Sequence, residues 1–389
     1  MKDKKFFVFG LITGILTTSL FVKFYDFLKK QPKQFIIDKE QSLKDNGFCF
    51  CKDIQNDINI SNTNKIALRN LDGGQSFVDV VSIYNVDEQQ KLMNELFALT
   101  KHIKTDSNNN NKDIWVVSDI HGDIQMLIEG LLKSGLITWN GKTKIETYNA
   151  YNNKTFKIVY PDVQINQNFK GKYINLGDIV NKHAFGMTSL YLLHDIFEKT
   201  KNKDGSNNKV KIVIGNHEYA DITMKGYHEY SPYRNPLINF IDMFVVYYEN
   251  DGISFTHAPM CNEIKPSTKK EVETLNKQIL NDKDGKVKRF LWGAGEKTFG
   301  YLISSLKTSK PSKIASCNVS GHTHGPINFG YNKRTDVLNL ATDRFNKDKT
   351  KIGVIFKINT AKKEVYSYTK DKNGNIIRNK LEKNLFDCK

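Results

Sequence analysis

"DIWVVSDIHGDIQMLIEGLLKSG", Asp113 to Gly135, holds two kinds of order in one short stretch. Ile114 to Val117 is an unbroken apolar run, as a strand buried on both faces requires. Further on, Ile124, Leu127, Ile128, Leu131 and Leu132 fall on one helical stripe, with Asp123 placed to cap the helix start. Between the two patterns, at the end of the apolar run, stands Asp119-Ile120-His121. Strand, polar motif and helix in succession are the unit of an α/β fold.

The unit recurs downstream. "KYINLGD", Lys172 to Asp178, precedes "AFGMTSLYLLHDIFEK", whose Met187, Leu190, Leu193 and Phe197 form a second stripe. "VKIVIGN" is a third buried-strand signal, and "FVVYYENDGISFTHAP" reads as a hairpin turning at Asp251-Gly252. More strands are expected in "VIFKINTAKKEVYSYT". An insert, Asn140 to Gly171, separates the first helix from the second strand, either as a surface β-hairpin or as a shaper of substrate access.

Upstream the pattern is different. Residues 31–112 form an extension and linker, in which Leu92, Leu96 and Phe97 have helical spacing and "TDSNNNNKD", Thr105 to Asp113, is polar and low in complexity. Residues 113–370 carry the alternating pattern, and 371–389 form a tail. At the N-terminus, Phe6 to Val22 is 17 residues without a charge, flanked by lysines on both sides. That is the lower limit for a helix crossing a bilayer, and no convincing signal-cleavage site follows it. The expectation is a single-pass membrane anchor spanning 1–30, with the catalytic part extracytoplasmic; secretion after cleavage is the alternative.

Composition limits the partners. Lys and Arg outnumber Asp and Glu 58 to 42, giving a formal charge of +16, but the lysines are dispersed through the chain. No nucleic-acid-binding motif is present and no nucleic acid is expected as a partner. The five cysteines offer no zinc spacing, and Cys49-x-Cys51 is too close for an ordinary disulfide.

The chemistry gathers at the strand ends. In order the chain gives Asp119-Ile120-His121, Gly177-Asp178, Gly215-Asn216-His217-Glu218, Thr256-His257-Ala258 and Gly321-His322-Thr323-His324. Five of the nine histidines lie in these blocks, and each block follows a β-like run. Strand ends of an open α/β sheet converge on one crevice. Oxygen and imidazole donors without thiolate suit Zn, Mn or Fe, and a carboxylate can bridge two ions.

The ordered set "SDIHGD", "GD", "GNHE", "THAP" and "GHTH" resembles the calcineurin-like metallophosphoesterases, with wording closest to the phosphoprotein phosphatase branch. The resemblance covers residues 113 to about 370. It implies a central β-sandwich of two mixed sheets flanked by helices, and hydrolysis of phosphate esters at two divalent ions. Asp119, His121, Asp178 and His324 would hold the first ion, and Asp178, Asn216, His257 and His322 the second. His217 would be the general acid. Substrates would be phosphoproteins or small phosphate esters.

Two departures stand in "GDIVNKH", Gly177 to His183. Where the phosphatase branch has a second aspartate that orients the catalytic histidine, this chain has Asn181, and Lys182 replaces a phosphate-gripping arginine. An amide can hold the ring by accepting a hydrogen bond but cannot stabilise an imidazolium as a carboxylate does. An ammonium lacks the planar fork of a guanidinium. The expectation is a retuned enzyme, with Arg234, Arg289 or Arg344 as candidates to restore phosphate binding. Loss of the second aspartate also resembles the diadenosine tetraphosphatases, so a dinucleoside polyphosphate is an alternative substrate. A decayed, membrane-tethered binding module is the non-enzymatic alternative.

Overall fold

The computed structural model describes residues 48–49, 69–70 and 79–380, apart from 107–109, 151–154, 182, 208, 224–230, 259–267, 284, 293–316, 323–329, 333–336, 340–352, 363 and 371–374. The opening stretch forms strand β1 (Asp113–Val117) and helix α2 (Ile124–Ser134). Asp123 caps α2 by accepting the Met126 N–H at 2.9 Å, and Gly135 ends it at φ 75°, where a side chain would be strained.

Alternation along β1 decides the layering. Ile114 and Val116 join Ile174, Val213, Ile253, Phe255, Val319 and Phe356 in one buried cluster. Trp115 and Val117 join Leu127, Leu131, Leu190 and Leu193 in another. The first cluster lies between two sheets, and the second lies beneath the helices. A strand with an apolar contact on both faces needs no polar alternation, which is why its sequence is continuously apolar.

The larger sheet combines β1, β4 (Lys172–Asn175), β5 (Val210–Val213), β6 (Phe244–Val245), β12 (Gly353–Asn359), β13 (Glu364–Lys370) and β14 (Ile376–Lys380) in the order β6-β5-β4-β1-β12-β13-β14. The first four are mutually parallel and the last three antiparallel. The smaller sheet combines β7 (Tyr247–Asn250), β8 (Ile253–Thr256), β9 (Cys317–Ser320), β10 (Gly330–Asn332) and β11 (Val337–Asn339) in the order β7-β8-β9-β11-β10, and it too is mixed. The β7–β8 turn is at Asp251 and Gly252, as expected, and both have positive φ as a two-residue hairpin turn requires. The fold is thus mixed α/β, with a large mixed sheet flanked by helices.

The upstream extension supplies part of the core. Helix α1 (Val86–Thr100) starts with a capping box between Asn85 and Glu88 and buries Leu92, Met93 and Leu96 in the helix-layer cluster. Before it, Asp79 is fully buried and accepts the Met187 N–H at 2.8 Å, the Val81 N–H at 3.2 Å and the Tyr233 hydroxyl at 3.0 Å. It therefore ties the extension to the start of helix α3 (Gly186–Thr200). The polar Thr105–Asp113 segment is pinned at both ends. Lys357, buried in β12, reaches Asp106 at 3.3 Å and Asp113 at 2.9 Å.

The insert is a β-hairpin, β2 (Thr143–Asn149) and β3 (Thr155–Pro161), with one face in the core through Tyr148, Ile158 and Tyr160. Phe6 to Val22 lies outside the described residues, and among the described residues no helix is long and apolar enough to cross a membrane.

Candidate active site

Asp119, Asp178, Asn216, His257 and His322 each follow the C-terminal end of a strand, β1, β4, β5, β8 and β9 respectively. The backbone there is unusual. Asp119, His121, Asp178, Asn181 and His322 have φ between 49° and 70°, and the one other non-glycine residue with positive φ among the described residues is Asp251 of the hairpin turn. Left-handed residues cost on the order of 1 kcal/mol or more each and persist where the surroundings impose them. Glycine allows close approach at positions 215 and 321. A side chain at position 215 would run into the Asp178 backbone and carboxylate, and one at 321 into Ser118 and Asp119.

Asp178 stands at the centre. Its Oδ2 lies 3.5 Å from His121 Nε2 and 3.9 Å from His217 Nε2, whereas its Oδ1 lies 3.4 Å from His257 Nε2. One carboxylate thus faces two sets of nitrogen donors, and the potential ligand atoms of His121, Asp178 and His217, and of Asp178, His257 and His322, lie within 4.8 Å of one another in each set. The rings are held from behind. His257 Nδ1 is 2.7 Å from the Leu176 carbonyl and His121 Nδ1 is 3.3 Å from the Val180 carbonyl, so that each ring donates there and leaves the Nε2 lone pair toward Asp178.

Asn216 tests whether this set suits a cation. Its side-chain oxygen is 2.8 Å from His257 Nε2, 3.0 Å from His322 Nδ1 and 3.2 Å from Asp178 Oδ1. Rotating the amide would let its nitrogen donate to all three. With the oxygen inward and both rings presenting lone pairs, the four atoms form a donor set that suits a divalent ion, whereas the rotated amide suits the site without one. The charge balance agrees. Burial opposes a charged His257 ring, but the carboxylates of Asp178 and Asp119 outweigh it and raise its affinity for a positive charge.

Asp119 lies beside these groups. It accepts the His322 N–H at 3.1 Å and the Ser118 hydroxyl, thereby joining the β1 and β9 ends. Glu218, to which its motif alone assigns no role, organises the site. Its Oε2 accepts the N–H groups of Asp178 and Gly215, both at 2.9 Å, and its Oε1 those of Ile179 at 2.7 Å and Val180 at 3.0 Å. Burial and the neighbouring Asp178 charge push its carboxyl up, and the Val180 N–H, the His257 ring and the Gly215 N–H oppose them.

Asn181 does adjoin His217, but through its nitrogen: Nδ2 is 3.4 Å from His217 Nδ1 and donates to Asp221 Oδ2 at 3.1 Å. The expected accepting oxygen instead faces away and finds no partner among the described residues. Asp221 is buried on helix α4 (Asn216–Thr223), one turn after His217, and sequence reasoning passed over it. Lys182, His324 and Arg344 lie outside the described residues. Arg234 begins the helix Arg234–Asn239, and Arg289 belongs to the helix Lys286–Trp292.

Residues 112–326 match the calcineurin-like phosphoesterase family. Solved structures with a similar chain path include the cold-active protein-tyrosine phosphatase of a psychrophilic Shewanella, at 13% identity and TM-score 0.47 over 72% of this chain and 83% of that one. A protein serine/threonine phosphatase from Saccharomyces cerevisiae shows 12% identity and TM-score 0.40 over 77% and 90%. A putative diadenosine tetraphosphatase shows 12% identity and TM-score 0.32 over 72% and 96%. Among curated proteins none matches the chain.

Proposed function

Since the chain belongs to the calcineurin-like phosphoesterases, and is thus a hydrolase acting on phosphoester bonds, we propose that it is a metal-dependent phosphomonoesterase. The observation that carries this reading is the arrangement of Asp178, whose two carboxylate oxygens face different donor sets. In this reading Asp119, His121 and Asp178, with His324, would hold one divalent ion, and Asp178, Asn216, His257 and His322 would hold a second. Such ions supply Lewis acidity toward phosphoryl oxygens and make water nucleophilic near neutral pH; the donor types suit Mn, Fe or Zn.

The chain's own residues do the rest. Asp178 is kept in place by the Glu218 contact to its N–H and by the His217 N–H, which donates to its Oδ1 at 3.1 Å. His217 sits with Nε2 beside Asp178 Oδ2, where a proton on that nitrogen can be offered to a leaving oxygen. Lys182 supplies a positive charge for phosphate. Phosphoproteins and small phosphate esters are the proposed substrates. Asn181 favours one second reading, a dinucleoside polyphosphatase. Phe6 to Val22 supports a membrane tether with the catalytic part extracytoplasmic.

A panel of phosphoserine peptide, p-nitrophenyl phosphate and diadenosine tetraphosphate, assayed with added Mn, tests the proposal. Turnover of the first two that is lost on chelation is expected. Turnover of the dinucleotide alone would move the assignment to the second reading, and no turnover of any substrate would overturn both.

A further inference from the structure

The hydrogen bonds around Asn181 run in the opposite direction from the one its replacement of an aspartate implies. A carboxylate at 181 would accept a proton from His217 Nδ1. Here Asn181 Nδ2 faces that nitrogen at 3.4 Å while donating to Asp221 Oδ2 at 3.1 Å. An amide's two ends are chemically opposite, so the partner with one available role decides its orientation. A carboxylate can only accept, and Asp221 is buried with no exposure to water. Turning the amide over would set its oxygen against the Asp221 oxygen at hydrogen-bond distance, with no proton between them. The observed orientation avoids this, although it leaves Asn181 Oδ1 buried and unpartnered among the described residues.

We propose that Asp221 is the positioning residue for His217: it fixes the Asn181 amide with its nitrogen inward, and so holds the neutral His217 ring with Nδ1 as acceptor and the proton on Nε2. That proton then points to the side where Asp178 Oδ2 lies 3.9 Å away. The inference rests on the reading of His217 as the residue whose Nε2–H donates a hydrogen bond to the leaving oxygen.

The same geometry gives a reason for Asn181 itself. An aspartate there would bring a second carboxylate to about 3 Å from Asp221 in a buried place, where two like charges are not tolerated together. The departure at 181 is therefore paired with the carboxylate at 221. Residue 181 also adopts φ 70°, a conformation that asparagine and aspartate both tolerate, so the backbone does not choose between them. Asp221 does. One consequence follows for the variants: Asn181→Asp by itself impairs the site, and Asn181→Asp combined with Asp221→Asn, which moves the charge without adding one, does not impair it to the same degree.

The test uses the full chain loaded with diamagnetic Zn and ¹⁵N-labelled at histidine. Two-bond ¹H–¹⁵N correlation spectra report which ring nitrogen carries the proton, and His217→Ala identifies the His217 signals by their disappearance. The wild-type ring is expected as the Nε2–H tautomer. In Asp221→Asn the signal should move toward the Nδ1–H form, and kcat for phenyl phosphate should fall about tenfold or more while KM changes little. In the double variant the Nδ1–H form should dominate, with kcat above that of Asn181→Asp alone. An Nδ1–H tautomer in the wild type, or an unchanged tautomer in Asp221→Asn, would overturn the proposal. Full turnover by His217→Ala would instead overturn the reading of His217 on which it rests, and the tautomer result would stand apart from it.

Discussion

Replacing Asp79 with asparagine should change how stability depends on pH. Asp79 lies in no motif, yet it is the buried carboxyl that joins the extension to helix α3. Burial raises its pKa from an ordinary 3.8 to about 7, against the opposing N–H groups of Met187, Val81 and Gly186 and the hydroxyl of Tyr233. The titratable groups facing it, Tyr233 and Tyr148, are themselves driven upward by burial and by Asp79, and so remain neutral across the range that matters. The folded state holds the Asp79 proton more tightly than the unfolded chain. Its contribution to stability is therefore full below pH 3.8 and is lost as pH rises through about 7. At about 1.4 kcal/mol per pH unit, the gap corresponds to roughly 4 kcal/mol. The amide introduced by Asp79→Asn cannot ionise, and its altered hydrogen bonds add an offset independent of pH. Urea unfolding of both proteins at steps from pH 4 to pH 8 isolates the effect, because every other group cancels in the difference. The wild type should lose up to about 4 kcal/mol relative to Asp79→Asn across that range. A difference constant to within about 1 kcal/mol would refute the reasoning.

Asp178→Asn should lose both bound ions, as measured by metal analysis after gel filtration, since one carboxylate serves both donor sets; His257→Ala should weaken one site and leave the other. Retention of both ions by Asp178→Asn would disprove the bridging role. Gly215→Ala should abolish activity and lower stability by about 2 kcal/mol or more, because the methyl meets backbone that cannot yield; unfolding and phosphatase assays within error of the wild type would contradict this. The full chain should remain in the membrane fraction through alkaline carbonate extraction, and a mature N-terminus just after Ser19 would show cleavage instead.

What the sequence disclosed follows the range of the forces involved. Asp113 to Gly135 was legible because the strand, the Asp123 cap and the helical stripe are each set by neighbours within a few positions. The Asp251-Gly252 turn was legible for the same reason. Asp119, His121, Asp178, Asn216, His257 and His322 could be picked out because strand ends on an α/β sheet converge by topology. Asp221 could not, since its partner Asn181 lies 40 positions away, and the role of Glu218 within its motif was hidden because three of the four N–H groups it accepts lie 38 to 40 positions away. Asp79 is further removed, 108 positions from Met187 and 154 from Tyr233. The insert's buried face was equally obscure. Ile145 on β2 is exposed while Tyr148 is buried, so no simple alternation marked the face turned inward.

The bonds that shape the site run between parts of the polypeptide. Asp119, His121 and Gly122 donate their N–H groups to the carbonyls of Gly177, Asp178 and Ile179 at 3.1, 2.7 and 2.6 Å, and Glu218 gathers four more N–H groups from the loops on either side. The strained conformations at the strand ends are thus tied by hydrogen bonds between separate parts of the polypeptide. A zinc finger, by contrast, acquires its shape from its ion and collapses under chelation. Here chelation should leave an empty but finished mould, ready to be refilled by whichever divalent ion is abundant, so that the identity of the working metal is decided by supply in the compartment and by intrinsic affinity order more than by folding.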